Sequence, residues 1–276
     1  MKQHTLGQSF SFSGIGLHTG KPVQLRVSPA PAGFGICFNR TDLVAATVPA
    51  RVEYVAQTRR ATSLSCKGVK VLTAEHLLAS LWAMGVDNAL IDLDAPELPI
   101  LDGSARPYAE AIQAAGLIEQ DAERDFLVIE KPFVYEDRRS GSRIVFEPSA
   151  STVFDVTIDF DSKVVGVQHA VFDESTDFAS QIAPCRTFCF LHEIKWLRRL
   201  GLIGGGSLDN ALVIDEPNGY YGGGKPLFDN EPARHKLLDL LGDFSLAGRP
   251  IRGRVVAYKP GHRVNTQALK HYLATL

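Results

Sequence analysis

His235-Lys236-Leu237-Leu238-Asp239 forms an H-x-x-x-D step within Ala233 to Leu241, where apolar residues recur at helical spacing. Side chains four apart share one helical face, so an imidazole nitrogen and a carboxylate oxygen there can reach one ion. Asp243 lies one turn further along the same face. Nitrogen and oxygen donors suit zinc, and a catalytic zinc needs three protein ligands and one open position. Taken alone, the pair also fits a surface or capping arrangement. Of the eight histidines, His76 is the best third donor, because Thr73-Ala74-Glu75-His76 opens an otherwise apolar helical stretch. The plainer reading is an acid at the positive end of a helix beside a half-buried histidine. Glu75, next to a proposed ligand, would lie near the reacting water and could serve as its general base. His262 follows the turn Lys259-Pro260-Gly261. A histidine on such a turn is commonly exposed. One facing the metal could instead protonate a leaving amine, with Asp243 holding its other ring nitrogen.

These residues must be positioned by elements that the pattern outlines. Phe10, Phe12, Val23, Leu25 and Val27 lie in strand-like contexts between glycine and proline turns. Thr73 to Gly85 reads as a helix with Thr73 as N-cap, and a strand follows at Ala89 to Leu93. Pro107 to Ala115 reads as a second helix. The polar run Glu119 to Asp125 separates it from strands at Phe126 to Ile129, Ile144 to Phe146 and Val153 to Phe160. Helical spacing returns at Leu191 to Leu200 and Ala233 to Leu241. A strand at Arg254 to Tyr258 precedes a last helix from about Asn265. Asp87-Asn88-Ala89-Leu90 and Asp209-Asn210-Ala211-Leu212 each follow a helix and open an apolar strand. This suggests two similar α+β domains, 1–122 and 126–276, each a sheet with helices packed on one face. The glycine-rich insertion Leu202 to Ser207 belongs to the second copy.

The chain has 276 residues, 45% hydrophobic and 22% charged, with a net charge of −2. That supports an ordinary core and gives no bulk electrostatic reason for a nucleic-acid partner. Cys37, Cys66, Cys185 and Cys189 form no C-x-x-C pair, which fits inert thiols in a reducing compartment. No apolar signal core and no run of about 20 apolar residues is present, so the expectation is a cytoplasmic protein without a membrane segment.

Seven runs, in order along nearly the whole chain, carry a resemblance: GIGLHTGKPV (Gly14 to Val23), TAEHLLASL (Thr73 to Leu81), DNALIDLDAPELPILDGSARPY (Asp87 to Tyr108), CRTFCFLHEI (Cys185 to Ile194), GGSLDNALV (Gly205 to Val213), RHKLLDLLGD (Arg234 to Asp243) and KPGH (Lys259 to His262). In these the chain resembles the UDP-3-O-acyl-N-acetylglucosamine deacetylases, zinc-dependent enzymes of lipid A biosynthesis. The resemblance implies a two-domain α+β fold with the active site at the domain interface. It implies Zn2+ on His76, His235 and Asp239, with Fe2+ as the alternative ion, Glu75 as base and His262 as acid. Thr187 would help stabilise the oxyanion, Lys236 would contact substrate and Asp243 would orient His262. Phe160, Phe188, Phe190 and Lys259 match positions near the nucleotide and substrate. An acyl-chain tunnel would be lined by Leu191, Ile194, Ile203, Gly206, Ser207, Ala211 and Val213. The implied partner is an acylated UDP-sugar, and the expected state is a monomer. Cys185 and Cys189 stand where Ala and Gly are commoner in the family, and His192 where Arg is usual. The rival readings are a zinc amidase acting on peptides, a protein whose metal only clamps two domains, and a nucleic-acid binder.

Overall fold

The computed structural model describes residues 1–44 and 46–276. The first half builds a five-stranded sheet, in the order Phe10–Ile15, Pro22–Pro29, Ala89–Leu93, Ile36–Arg40, Thr47–Pro49. Val23, Leu25 and Val27 are buried while Pro22, Gln24 and Arg26 face water, the period-two pattern of a sheet with one covered face. Ile36–Arg40 and Ala89–Leu93 run parallel, the other neighbours antiparallel. A parallel pair requires a crossover. Here it contains the small sheet Val55–Gln57, Ser63–Cys66, Val69–Val71 and helix α1, Glu75–Ala83. Helix α2, Arg106–Ala115, follows the fifth strand and ends at Gly116, whose φ of +66° suits glycine.

The second half repeats this plan. Its main sheet runs Phe133–Asp137, Ser142–Glu147, Ile251–Tyr258, Thr152–Asp159, Val167–Phe172, and Leu127–Val128 adds a short parallel pairing to Ile251–Tyr258. In each half the chain-order sequence across the sheet is first, second, fifth, third, fourth, with the parallel pair between fifth and third. Between its fourth and fifth strands the second half carries short α3 (Phe178–Gln181), α4 (Ile194–Arg199) and long α5 (Glu231–Ser245). Helix α6, His262–Leu273, follows the fifth strand as α2 does in the first half. One contiguous core spans both halves. Trp82 of α1 meets Phe154 of the second sheet edge-on at 5.4 Å, and Phe146 stacks on Tyr272 of α6 at 4.4 Å.

Several sequence expectations need correction. The duplication lies in the topology, but not between the two Asp-Asn-Ala-Leu segments. Leu212–Asp215 belongs to a separate three-stranded side sheet with Phe188–Phe190 and Gly219–Tyr220. The counterpart of Ala89–Leu93 is Ile251–Tyr258, and the counterpart of α1 is α5. A four-residue match reports local chemistry, whereas the repeat is defined by which strand lies central. The polar run that separates α2 from the second set of strands is itself largely a strand: Leu117–Glu123 runs antiparallel to Lys2–Leu6, its charges facing water and pairing across the ribbon, as Lys2 with Asp121. Thr73 is not a cap. It sits at φ +58°, its hydroxyl donates to Glu97, and Ala74 takes the cap position without a side-chain bond. The last helix begins at His262, three residues earlier than the apolar spacing suggests.

Candidate metal centre between two helices

Helices α1 and α5 pack closely because Gly242 of α5 has no side chain. A Cβ there would stand 2.2 Å from the Glu75 carbonyl oxygen. The first turn of α1 therefore lies against α5 over His235 to Asp243. Glu75, His76, His235, Asp239 and Asp243 are all buried. One donor atom from each of His76, His235 and Asp239 falls within a group whose members lie no more than 4.8 Å apart. His235 Nε2 is 3.5 Å and His76 Nε2 3.9 Å from Asp239 Oδ1. Bonds of about 2.0–2.2 Å in a tetrahedral site space donors by about 3.3–3.6 Å, so the arrangement is of the right order for one ion.

The protonation chemistry fits as well. His235 Nδ1 donates to the Cys185 carbonyl at 3.0 Å, leaving the Nε2 lone pair directed at the group. Burial pushes the His76 pKa down to about 3 and lowers that of His235 also, so both rings are neutral and able to act as ligands. Burial opposes the Asp239 carboxylate, but nearby positive charge, Lys236 foremost and protonated His262 with it, holds its pKa well below the ordinary value. Two neutral imidazoles and one carboxylate make a donor set for a divalent ion, with one tetrahedral position left for water or substrate.

Beside this group stand a candidate base and acid. Burial raises the Glu75 pKa to about 7, against the opposing pull of His262. Burial works against charge on His262, yet Asp243, Asp239 and Glu75 together raise its pKa to about 9. Its Nδ1 donates to Asp243 Oδ2 at 3.0 Å, and its Nε2 lies 3.9 Å from both Glu75 Oε1 and Asp239 Oδ2. His262 is buried in the first turn of α6, so the exposed-turn reading does not hold. Thr62 joins the two groups. Its amide donates to Glu75 Oε2 at 3.0 Å and its hydroxyl to Asp243 Oδ1 at 2.5 Å, while Asn265 Nδ2 donates to Asp243 Oδ2 at 2.8 Å.

Sequence reasoning missed Thr62, Asn265 and Glu97. Glu97 is buried and accepts from the amides of His18 and Thr19 and from the Thr73 hydroxyl, fixing the loops beside α1. A lone carboxylate inside the apolar, proline-rich run Ala95 to Ile100 was the available signal. His18 is also buried, and among the described residues neither ring nitrogen has a partner. Glu231, fully buried, accepts from Arg186 and the Leu227 amide and so anchors the segment leading to Thr187.

The remaining sequence candidates form the walls. Lys236 Nζ donates to Asp239 Oδ2 at 2.7 Å and lies 5.6 Å from the Phe188 ring centroid, engaged with that carboxylate. The Thr187 amide donates to the Gly103 carbonyl, and its carbonyl accepts from Leu212. Phe160 contacts Phe188 and Phe190, each at 5.7 Å, and Phe188 meets His235 at 6.3 Å. Lys259 pairs with Asp159 at 3.1 Å. Val213 is buried in the side sheet, and Leu191, Ile194, Ile203, Gly206 and Ala211 are half-buried, with Ser207 exposed. Gly204 and Gly205 donate to the carbonyls of His18 and Leu17, and a Cβ on Gly205 would lie 2.4 Å from the Gly16 oxygen. Those glycines admit the protein's own backbone. Cys185 is buried, its thiol pushed up to about 12 by burial, and His192 stacks on Phe190.

The chain's similarity to known proteins extends over nearly its whole length. A model of the family described as UDP-3-O-acyl N-acetylglycosamine deacetylase matches residues 3–274. A UDP-3-O-acyl-N-acetylglucosamine deacetylase of Myxococcus xanthus is 43% identical over 279 residues, covering 99% of this chain and 86% of its own length. One from Nostoc sp. is 43% identical over 283 residues, with 99% of both chains covered. The "Bifunctional enzyme LpxC/FabZ" of Porphyromonas gingivalis is 44% identical, but the chain spans 63% of that protein's length. On the family match and this identity over nearly every residue, the chain belongs to the UDP-3-O-acyl N-acetylglycosamine deacetylase family.

Proposed function

We propose that the protein hydrolyses the N-acetyl group of a UDP-3-O-acyl-N-acetylglucosamine, releasing acetate and a UDP-3-O-acyl-glucosamine, an early step of lipid A biosynthesis in the cytoplasm. The observation that carries this reading is the buried His76, His235 and Asp239 group with Glu75 and His262 beside it. Residues 1–122 and 126–276 act as two domains, each supplying part of the site. His76, His235 and Asp239 would hold a zinc ion, which when bound would supply polarisation of an amide carbonyl and acidification of water. Glu75 takes a proton from the attacking water. The Thr187 hydroxyl donates to the developing oxyanion, an interaction worth about 3 kcal/mol when well aimed. His262, charged and braced by Asp243, gives its proton to the departing amine. Lys236 binds substrate, and Phe160, Phe188, Phe190 and Lys259 form the nucleotide-side wall. Leu191, Ile194, Ile203, Gly206, Ser207, Ala211 and Val213 shelter the acyl chain, each buried methylene contributing about 0.8 kcal/mol. A purely structural clamp is disfavoured because three donors gather there among the described residues, one fewer than the four of a closed structural zinc site. Purified protein incubated with UDP-3-O-acyl-N-acetylglucosamine should release acetate and a primary amine in equal amounts. Release of neither from that substrate, by metal-loaded protein, would overturn the assignment.

A further inference from the structure

Helix α4 has the sequence Ile-Lys-Trp-Leu-Arg-Arg, and only Leu197 among its residues is buried. Trp196 is 50% exposed, and Leu200, which caps the helix, is 40% exposed. Lys195, Arg198 and Arg199 also face water. Among the described residues none of these three cations makes an ion pair. The neighbouring acid, Glu193, is taken by Arg60. The guanidinium of Arg59 lies 5.2 Å from the Trp196 ring centroid and adds a fourth positive charge. On the loop that follows the helix, a Cβ on Gly205 would lie 3.1 Å from the side chain of Ile15, itself 42% exposed.

This local composition runs against the rest of the molecule. The chain carries a net charge of −2, so the cationic cluster does not follow from bulk charge. A helix that merely faces water gains nothing from an exposed indole and leucine, and mixed-sign charges would satisfy it. An indole flanked by unpaired cations is instead suited to the boundary between lipid headgroups and acyl chains. There the ring settles at headgroup depth, the lysine and arginine stems lie along apolar surface, and their charged ends reach phosphates. The helix is six residues long, too short to offer the extended basic stripe that a nucleic-acid backbone would follow.

We propose that α4, through Trp196, Leu200, Lys195, Arg198 and Arg199 with Arg59, docks reversibly on an anionic lipid bilayer. The inference concerns membrane contact and stands whether or not the deacetylase reading is correct. Under that reading it adds a consequence: docking brings the walls named for the acyl chain, Ile194 and Ile203, to the lipid surface. With one short helix and few charges, binding is weak, electrostatic and lost at high salt.

The test is flotation of the full chain with vesicles of phosphatidylethanolamine and phosphatidylglycerol, against vesicles of phosphatidylcholine alone, at low and high salt. The expected result is at least about five-fold more protein with the anionic vesicles, abolished at high salt. The chain has two tryptophans, Trp82 and Trp196. Tryptophan emission should shift to the blue on adding anionic vesicles, and the shift should be absent in Trp196→Phe. The combined variant K195E/R198E/R199E should bind at least about tenfold less, with unchanged circular dichroism; R198Q/R199Q should lie between it and the parent. Acetate release from a dispersed substrate should be unchanged in both. Equal partition to anionic and neutral vesicles, binding insensitive to charge reversal, or no binding at all would overturn the proposal, the last leaving the patch to a protein partner or to solvent.

Discussion

Asp243 has no exposed surface and accepts hydrogen bonds from His262, Thr62 and Asn265. Its charge is the principal support for a protonated His262, whose pKa is raised to about 9. Activity should fall as pH rises through the His262 value, because the acid is then lost. It should fall on the acid side as Glu75 takes up its proton; burial raises that pKa, and a bound cation pulls it back down. The rate should thus be bell-shaped in pH. Asp243→Asn should move the basic limb to lower pH and cut the rate while retaining metal. Glu75→Ala and His262→Ala should each retain metal and lose at least about 10²-fold in turnover. A basic limb unmoved in Asp243→Asn would show that this carboxylate does not tune His262. At this scale the members of the buried His76, His235 and Asp239 group were legible because H-x-x-x-D and Glu-His are chemically unexpected in apolar helices. Thr62 and Asn265 were not, since a threonine or asparagine that braces a buried acid has no spacing signature of its own.

Among elements, the α1–α5 contact carries the site, and one glycine controls its closeness. Gly242→Ala places a methyl group on the Glu75 carbonyl, in contact with backbone that cannot swing aside. The helices must separate, drawing His76 away from His235 and Asp239. We expect a metal affinity reduced at least about tenfold, the scale for disturbing the support of a ligand, together with a lower melting temperature. Competition with a chromophoric chelator would measure the first; unchanged affinity would mean that the helices adjust without moving the ligands. Helix interiors and the end of α2 at Ala115 were readable from apolar spacing and glycine, but the starts of α1 and α6 were not. Thr73 looked like a cap yet spends its hydroxyl on Glu97, a residue 24 positions away. His262 opens α6 although the apolar pattern begins later, because its imidazole is recruited inward by Asp243.

At the scale of the molecule, two sheets of the same strand order set α1 and α5 side by side, and the side sheet Phe188–Phe190, Leu212–Asp215, Gly219–Tyr220 hangs on the second half. The α+β class and the presence of a repeat were readable from sequence, but its register was not. Diverged copies share strand order and helix placement, not tetrapeptides. The insertion Leu202 to Ser207 was noticed for its glycines, whose backbone bonds to Leu17 and His18 join it to the first half. Gly206 is less tightly hemmed in than Gly205: a Cβ there would meet the Cβ and carbonyl oxygen of Ile203 at 3.3 Å and Leu17 at 3.8 Å. Gly206→Leu should fill the space beside Ile203. Under the proposed acyl site, it should weaken catalysis on a long-chain substrate much more than on one lacking the O-acyl group, with metal content unchanged. Equal treatment of the two substrates would place the chain elsewhere.

The central claim is that one divalent ion held by His76, His235 and Asp239 serves an amide hydrolysis. Its most direct test follows acetate release from UDP-3-O-acyl-N-acetylglucosamine while the protein is stripped with a strong chelator and then titrated with zinc, with metal content measured at each step. The account predicts that activity vanishes on stripping and returns in proportion to zinc up to one ion per chain. It also predicts that His235→Ala loses both the ion and the activity. Full activity in metal-free protein, or unchanged turnover in His235→Ala, would contradict it.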